Sequence, residues 1–240
     1  GTLALSAETN NNGNTAVGSE ALKTQNSGGG GDARNTAVGF AAGTSVTTGD
    51  RTTLVGGLAG DAITTADGNT AVGYESLSTN TASELNVAIG FKALRLYNNT
   101  SGSGYNTAVG ALAGDQLTTG VQNTLIGGLA GDALTTSNYT VAVGYNAAGS
   151  STTGHSNSVL GRHALLNNTT GSQNVAVGRD ALEANTSASN NTAVGFHALV
   201  ANTTGAGNTA SGKQALATNT TASYNTAFGH EALKLNTTGT

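Results

Sequence analysis

The chain of 240 residues contains no cysteine, proline, methionine or tryptophan. Without cysteine it forms neither disulfide bonds nor Cys-ligated metal sites. Without proline, every residue keeps the backbone N–H that a β-ladder needs. Only 9% of the residues are charged, and the formal net charge is −4. This composition offers no basic surface, so we expect no nucleic-acid partner.

Long apolar runs are also missing, and no stretch approaches the length of a membrane span. We therefore expect no membrane span in this segment. The absence of methionine predicts that residues 1–240 are a fragment of a longer chain. Any targeting signal or anchor would then lie outside this segment.

What the sequence does contain is a 17-residue repeat, whose consensus is N-T-A-V-G-x-x-A-L/G followed by a polar stretch with T-T. Ten of the twelve steps between openings are 17 residues, and the other two are 21 and 20. A fixed period of this length is typical of stacked arrays. Positions are numbered below from the opening residue of each repeat. The openings are Asn14, Asn35, Thr52, Asn69, Asn86, Asn106, Asn123, Thr140, Asn157, Asn174, Asn191, Asn208 and Asn225.

The repeat favours strands over helices. Position 5 is always glycine, which indicates a positive φ or a contact too close for a Cβ. Positions 2 and 4 are mostly β-branched, and known helical repeats need about 33 residues. We predict an all-β fold, a parallel β-solenoid or β-roll of about fourteen coils. Residues 1–240 form one continuous array, with loop insertions near residues 26–34 and 98–104.

Two classes of repeat predict how the interior is filled. Where position 9 is leucine, position 12 is usually asparagine, as in Leu77 with Asn80. Where position 9 is glycine, position 12 is a large aliphatic residue, as in Gly60 with Ile63. Because close-packed interiors conserve volume, we infer that one interior pocket is filled from either side of a corner.

Two polar columns have both a structural and a functional interpretation. The position-1 asparagines are predicted to hydrogen-bond along the stack, or else to form an exposed ligand row. Threonine at position 13, as in Thr203 and Thr220, either solubilises the edge or binds ice or a polysaccharide. Glycosylation would be open to N-x-S/T acceptors in this region. These acceptors are Asn168, Asn185, Asn202, Asn219 and Asn236.

Other reactive residues do not form a recognisable site. The histidines are His155, His163, His197 and His230. His163 and His197 share a column but lie two coils apart, about 10 Å, which is too far for one metal ion. We interpret them as solvated.

Asp115 and Asp132 occupy position 10 of adjacent repeats, where a carboxylate pair could hold a cation or act on glycosides. Asp61 repeats the A-G-D motif alone, which favours a turn. The Gly28–Gly31 run lacks the Lys-Ser/Thr of a phosphate loop. We predict no catalytic, cofactor-binding or metal-binding residue and no enzymatic activity.

The repeat resembles two groups of proteins. Asn174-Val175-Ala176-Val177-Gly178 resembles the head repeats of trimeric autotransporter adhesins. The Ala-Leu at positions 8 and 9, with N-T-T-G as in Asn202–Gly205, more closely resembles repeat arrays of phage tail-fibre shafts. The resemblance implies a left-handed solenoid, a homotrimer or filament, and an extracellular, cell-surface or virion appendage.

These observations together predict a structural protein, the rigid shaft of an extracellular or virion fibre. Self-association is the expected partnership, and an adhesive contact with a cell-surface glycan or receptor is a further expectation. The alternative is a glycan- or ice-binding solenoid that uses its threonine columns. A phage-type polysaccharide depolymerase is the third interpretation.

Overall fold

The computed structural model describes residues 1–9, 13–26 and 33–237, which are all-β and form two compact units, Gly1–Val121 and Gln122–Thr240. The described part of the first unit contains β1 (Thr15–Val17), β2 (Thr36–Val38), β3 (Thr53–Val55), β4 (Thr70–Val72), β5 (Val87–Ile89) and β6 (Thr107–Val109). That of the second contains β7 (Thr124–Ile126), β8 (Val141–Val143), β9 (Ser158–Leu160), β10 (Val175–Val177), β11 (Thr192–Val194), β12 (Thr209–Ser211) and β13 (Thr226–Phe228).

Within each unit the strands are parallel, follow chain order and pair position for position. Thr53 of β3 pairs with Thr70 of β4, and Val175 of β10 pairs with Thr192 of β11. The predicted β-solenoid is confirmed. The described residues form 13 strands, whereas about fourteen coils were predicted. The difference arises at Gly1, which occupies position 5 and therefore begins its coil after the strand position.

The backbone ladder continues beyond the three-residue strands. The N–H of Gly56 donates to the carbonyl of Val38 in the preceding coil at 2.8 Å. The N–H of Thr64 donates to the carbonyl of Thr81 in the following coil at 2.9 Å. Hydrogen bonds of this kind recur at several corners of each coil, so a proline at those positions would remove a donor.

The position-5 glycines meet both predicted requirements. Their φ angles lie between 122° and 142°. A Cβ built on Gly73 would lie 2.4 Å from the carbonyl oxygen of Gly90 in the next coil. Real Cβ atoms do not approach a carbonyl oxygen so closely, so no side chain fits without moving the backbone.

The interior is filled as the two classes of repeat predict. Alanine at position 8, such as Ala59, is fully buried, as are Leu77 and Ile63. A Cβ added to Gly60 would lie 2.8 Å from Cδ1 of Ile63 and 2.7 Å from Cδ2 of Leu54. Ile63 therefore occupies the space that a position-9 side chain would otherwise enter.

Each coil also contains left-handed backbone at positions that carry ordinary side chains. Leu77 at position 9 has φ of 53°, Lys92 at position 7 has 56°, and Tyr139 at position 17 has 58°. Such conformations cost about 1 kcal/mol or more for a residue with a Cβ. The ladder imposes them because they turn the chain sharply enough to close a coil of 17 residues.

Both long coils hold an enlarged, buried side chain at position 12, Gln25 in one and Tyr97 in the other. The hydroxyl of Tyr97 lies 3.2 Å from Oγ of Ser83, and burial raises the pKa of this phenol. Residues 98–104 contain no strand. Of the other predicted insertion, 26–34, residues 27–32 lie outside the described part of the chain. In both coils the extra residues follow the larger interior side chain.

Candidate functional site

The position-1 asparagines form a buried ladder. Oδ1 of Asn69 accepts the backbone N–H of Asn86 in the next coil at 2.9 Å. Nδ2 of Asn69 donates to the carbonyl of Ser83, which lies near the end of the same coil, also at 2.9 Å. Asn174 makes the corresponding bonds in the second unit. The structural interpretation is confirmed, because most of these side chains are buried and cannot form an exposed ligand row.

The asparagines of the predicted glycosylation acceptors form a second buried ladder. Nδ2 of Asn185 donates to Oδ1 of Asn168 at 2.9 Å, and Nδ2 of Asn219 donates to Oδ1 of Asn202 at 3.0 Å. All four side chains are fully buried. The expectation of a glycan coat on these asparagines is wrong for the folded chain, because a glycan has no access to them. Asn236 is partly exposed.

The position-13 threonine hydroxyls form hydrogen bonds between neighbouring coils. Oγ1 of Thr203 donates to the carbonyl of Thr220 at 3.0 Å, and Thr152 donates to Thr169 in the same way. The position-14 threonines, such as Thr153 and Thr170, are exposed beside them. An ice- or glycan-binding surface would therefore depend on position 14 more than on position 13.

Three consecutive coils of the second unit bring His163, Asp180 and His197 together at position 7. Nε2 of His197 lies 3.1 Å from Oδ2 of Asp180, and Nε of Arg179 lies 2.7 Å from the same oxygen. Nδ1 of His163 lies 3.7 Å from the other oxygen, Oδ1. The two histidines are not simply solvated, because the carboxylate between them contacts both.

Asp180 is the centre of this cluster. Burial raises the pKa of its carboxyl, but hydrogen bonds from Arg179 and His197 outweigh burial and lower the pKa below its usual value. Glu183 completes the group, since one ligand atom from each of His163, Asp180 and Glu183 lies within 4.8 Å of the others. The distance between His163 and His197 alone gives no sign of this cluster, because the residue that joins them is Asp180. Position 7 read down successive repeats shows His-Asp-His, and that signal was available in the sequence.

The predicted position-10 aspartates are divided between the two units. Asp115 of the first unit forms a bidentate pair with Arg95, at 2.7 and 3.0 Å. Asp132 belongs to the second unit. Asp61 lies in a turn, and its buried Oδ1 has no hydrogen-bond partner among the described residues. Burial, with a smaller contribution from Glu75, raises the pKa of Asp61.

The remaining predicted candidates lie apart from the cluster. His155 is exposed and contacts Oγ of Ser156 at 3.3 Å. His230 is exposed beside Glu231 at 3.9 Å. The Gly28–Gly31 run lies outside the described residues.

An apolar strip, formed by positions 4 and 6, runs along the outer face of the first unit. Val17, Val38 and Ile89 at position 4 are at least 37% exposed. Phe40 at position 6 is 60% exposed. No residue at positions 4 or 6 between β1 and β6 is charged. Exposed apolar side chains therefore recur along this face of the first unit.

The corresponding strip of the second unit alternates apolar and basic residues. Position 4 remains largely apolar, with Leu160 51% exposed. Position 6 instead carries Arg162, Arg179 and Lys213, all of which are exposed. The guanidinium of Arg179 lies 5.0 Å from the ring centroid of Phe196. This strip is therefore largely apolar along position 4 and mixed aromatic and cationic along position 6.

Comparison with known proteins finds no matching family, no matching curated protein and no matching solved structure. Among the described residues, none forms a helix with the length and apolarity needed to cross a bilayer.

Proposed function

We propose that this chain is a structural protein, part of a rigid extracellular or virion fibre shaft that self-associates along the apolar strip. The observation that carries the proposal is the strip itself. In the first unit, uncharged side chains at positions 4 and 6 include Val38, Phe40, Ile89 and Phe91, each at least 37% exposed. The resemblance to fibre repeats supports the same assignment.

A second copy of this chain is the proposed occupant of the strip, and the period is the reason. In the first unit the strip presents an uncharged position 4, always valine or isoleucine, at every coil, about 4.8 Å apart. A partner with the same period stays in register with it coil after coil. Weak contacts that repeat in register add up by avidity, although each is small alone. Formation of a homotrimer or filament is part of the same proposal.

Sedimentation velocity of the full chain over a range of concentrations tests the proposal. We expect an oligomer, and we expect Val38→Glu combined with Ile89→Glu to convert it to monomer. Both substitutions put a carboxylate on the exposed strip and leave the buried positions unchanged. A chain that stays monomeric at every concentration contradicts the proposal.

The matched control is Thr48→Glu combined with Thr65→Glu. These two exposed threonines lie at position 14, away from the strip. The control adds the same charge, so it should leave the oligomer intact. If it dissociates the oligomer as fully as the strip variant does, added charge rather than the strip explains the effect.

A glycan- or ice-binding role is the second candidate, and the exposed position-14 threonines favour it. Thr153→Leu combined with Thr170→Leu should abolish retention on a polysaccharide or ice affinity matrix. Thr152→Val, which removes a hydroxyl already bonded to Thr169, serves as the control. Unchanged retention of the double variant would exclude this role. No catalytic step is part of either proposal.

A further inference from the structure

We infer that His163, Asp180 and Glu183 form a binding site for a divalent transition metal ion of the zinc type. One nitrogen and two carboxylate oxygens come from two adjacent coils, and the three atoms lie within 4.8 Å of one another. Imidazole and carboxylate are ligands that Zn²⁺, Co²⁺ and Ni²⁺ accept. The site is independent of the proposed self-association.

The spacing of His163 and Asp180 suits a shared ion better than a direct hydrogen bond. Nδ1 of His163 and Oδ1 of Asp180 are 3.7 Å apart, which is beyond hydrogen-bond reach. Metal–ligand bonds of about 2.0–2.2 Å in tetrahedral geometry place two ligand atoms roughly 3.4 Å apart. A small rotation of either side chain brings the pair to this separation.

The other oxygen of Asp180 is fixed by the protein. Oδ2 accepts a hydrogen bond from Nε of Arg179 at 2.7 Å and lies 3.1 Å from Nε2 of His197. Partners of this kind orient a ligating carboxylate and leave its second oxygen for the metal. His197 is therefore a positioning residue, and Arg179 balances part of the negative charge of the two carboxylates.

Three protein ligands leave at least one coordination position open. The side chain of His163 is 20% exposed, whereas that of Asp180 is only 7% exposed. An ion held here has its protein ligands on the solenoid side and its open position toward solvent. Water, or a donor atom from another molecule, would complete the coordination.

Titration of the full chain with Co²⁺, followed by its visible d–d absorption and by competition with Zn²⁺, tests the site. We expect one ion per chain and displacement of Co²⁺ by Zn²⁺. His163→Asn should weaken binding at least tenfold. Asparagine is already present at this position in the preceding coil as Asn146, with φ of 54°. The variant therefore keeps the fold, and circular dichroism will verify it.

His155→Ala is the matched control, because His155 is an exposed histidine of the same unit outside the cluster. Its affinity for Co²⁺ should equal that of the unmodified chain. Glu183→Gln should weaken binding and change the Co²⁺ spectrum. The inference is overturned if the unmodified chain binds no Co²⁺, or if His163→Asn binds as tightly as the control.

Discussion

The two units share one internal frame, by which we mean the glycines and buried positions that recur in each coil, but they present different surfaces. Position 5 is glycine in both, and position 3 is buried in every strand except β1, where Ala16 is partly exposed. At position 6, the first unit has aromatic but no basic residues, whereas the second combines Tyr145 and Phe196 with Arg162, Arg179 and Lys213. The repeat thus combines a constant interior with a variable surface. Inward positions are constrained by the neighbouring coils, and outward positions vary without disturbing them.

Position 7 shows the same contrast in its ion pairs. The first unit pairs Glu75 with Lys92 at 3.6 Å, both partly exposed. The second unit places the nearly buried Asp180 between two histidines. A pair on the surface contributes little to stability, whereas a hydrogen-bonded carboxylate that is nearly buried contributes more.

The largest expected effect tests whether the frame is the same in both units. Gly73→Ala and Gly161→Ala each place a Cβ within 2.6 Å of the carbonyl oxygen of the next coil's glycine. We expect each to cost roughly 3–5 kcal/mol in the free energy of unfolding, measured by urea denaturation. Gly57→Ala, whose Cβ would lie 3.5 Å from Tyr74, should change it by less than about 0.5 kcal/mol. A large cost in only one unit would refute a common frame.

The asparagine ladder should give a smaller but equally shared effect. Asn69→Ala and Asn174→Ala each leave a buried N–H and a buried carbonyl without their partner. We expect a loss of about 2–3 kcal/mol in either unit, seen in the urea midpoint. Asn167→Ala, at an exposed position, is the control and should be nearly neutral. Equal midpoints for Asn174→Ala and the control would show that the ladder contributes nothing.

Acid stability should distinguish the two kinds of ion pair. Asp180→Asn should cost about 1–3 kcal/mol at pH 7, and Glu75→Gln at most about 1 kcal/mol. The pKa of Asp180 is lowered in the folded state, so its contribution is present above the ordinary value of 3.8 and is lost as pH falls through the folded pKa. Thermal melts from pH 7 to 2 should show the Asp180→Asn deficit disappearing below about pH 3.8. A deficit that persists at pH 2 would contradict this linkage.

The smallest expected effect concerns Asp61 of the first unit, where substitution should stabilise the folded chain rather than destabilise it. Its pKa is raised above 3.8 in the folded state, so stability falls as pH rises from 3.8 through the folded pKa. Asp61→Asn should therefore stabilise the chain by about 0.5 kcal/mol at pH 7 and have little effect at pH 2. A destabilised variant at pH 7 would show that the carboxylate has a favourable partner after all.

The period explains why so much of the frame could be predicted. In a stacked array, a residue that recurs every 17 positions lies next to its own copy in the neighbouring coil. The sequence alone therefore predicted a close contact at Gly73 and hydrogen bonding along the stack at Asn69. The left-handed turns left no such signal, because Leu77 and Lys92 have ordinary side chains and adopt positive φ only under the ladder's constraint. Asp180 was missed because the column was searched for one residue type rather than for opposite partners.

The two long coils show how this protein can change size. In the sequence of both, the extra residues follow position 12, which is Gln25 or Tyr97, and the strands on either side keep their pairing, Thr15 with Thr36 and Val87 with Thr107. An insertion of one or two residues within a strand or among the inward positions would instead move the aliphatic side chains of that coil out of register with its neighbours. Duplication or loss of a whole turn preserves all neighbours. Lineages of this protein should therefore differ in length by multiples of seventeen, with irregular additions confined to the residues that follow position 12.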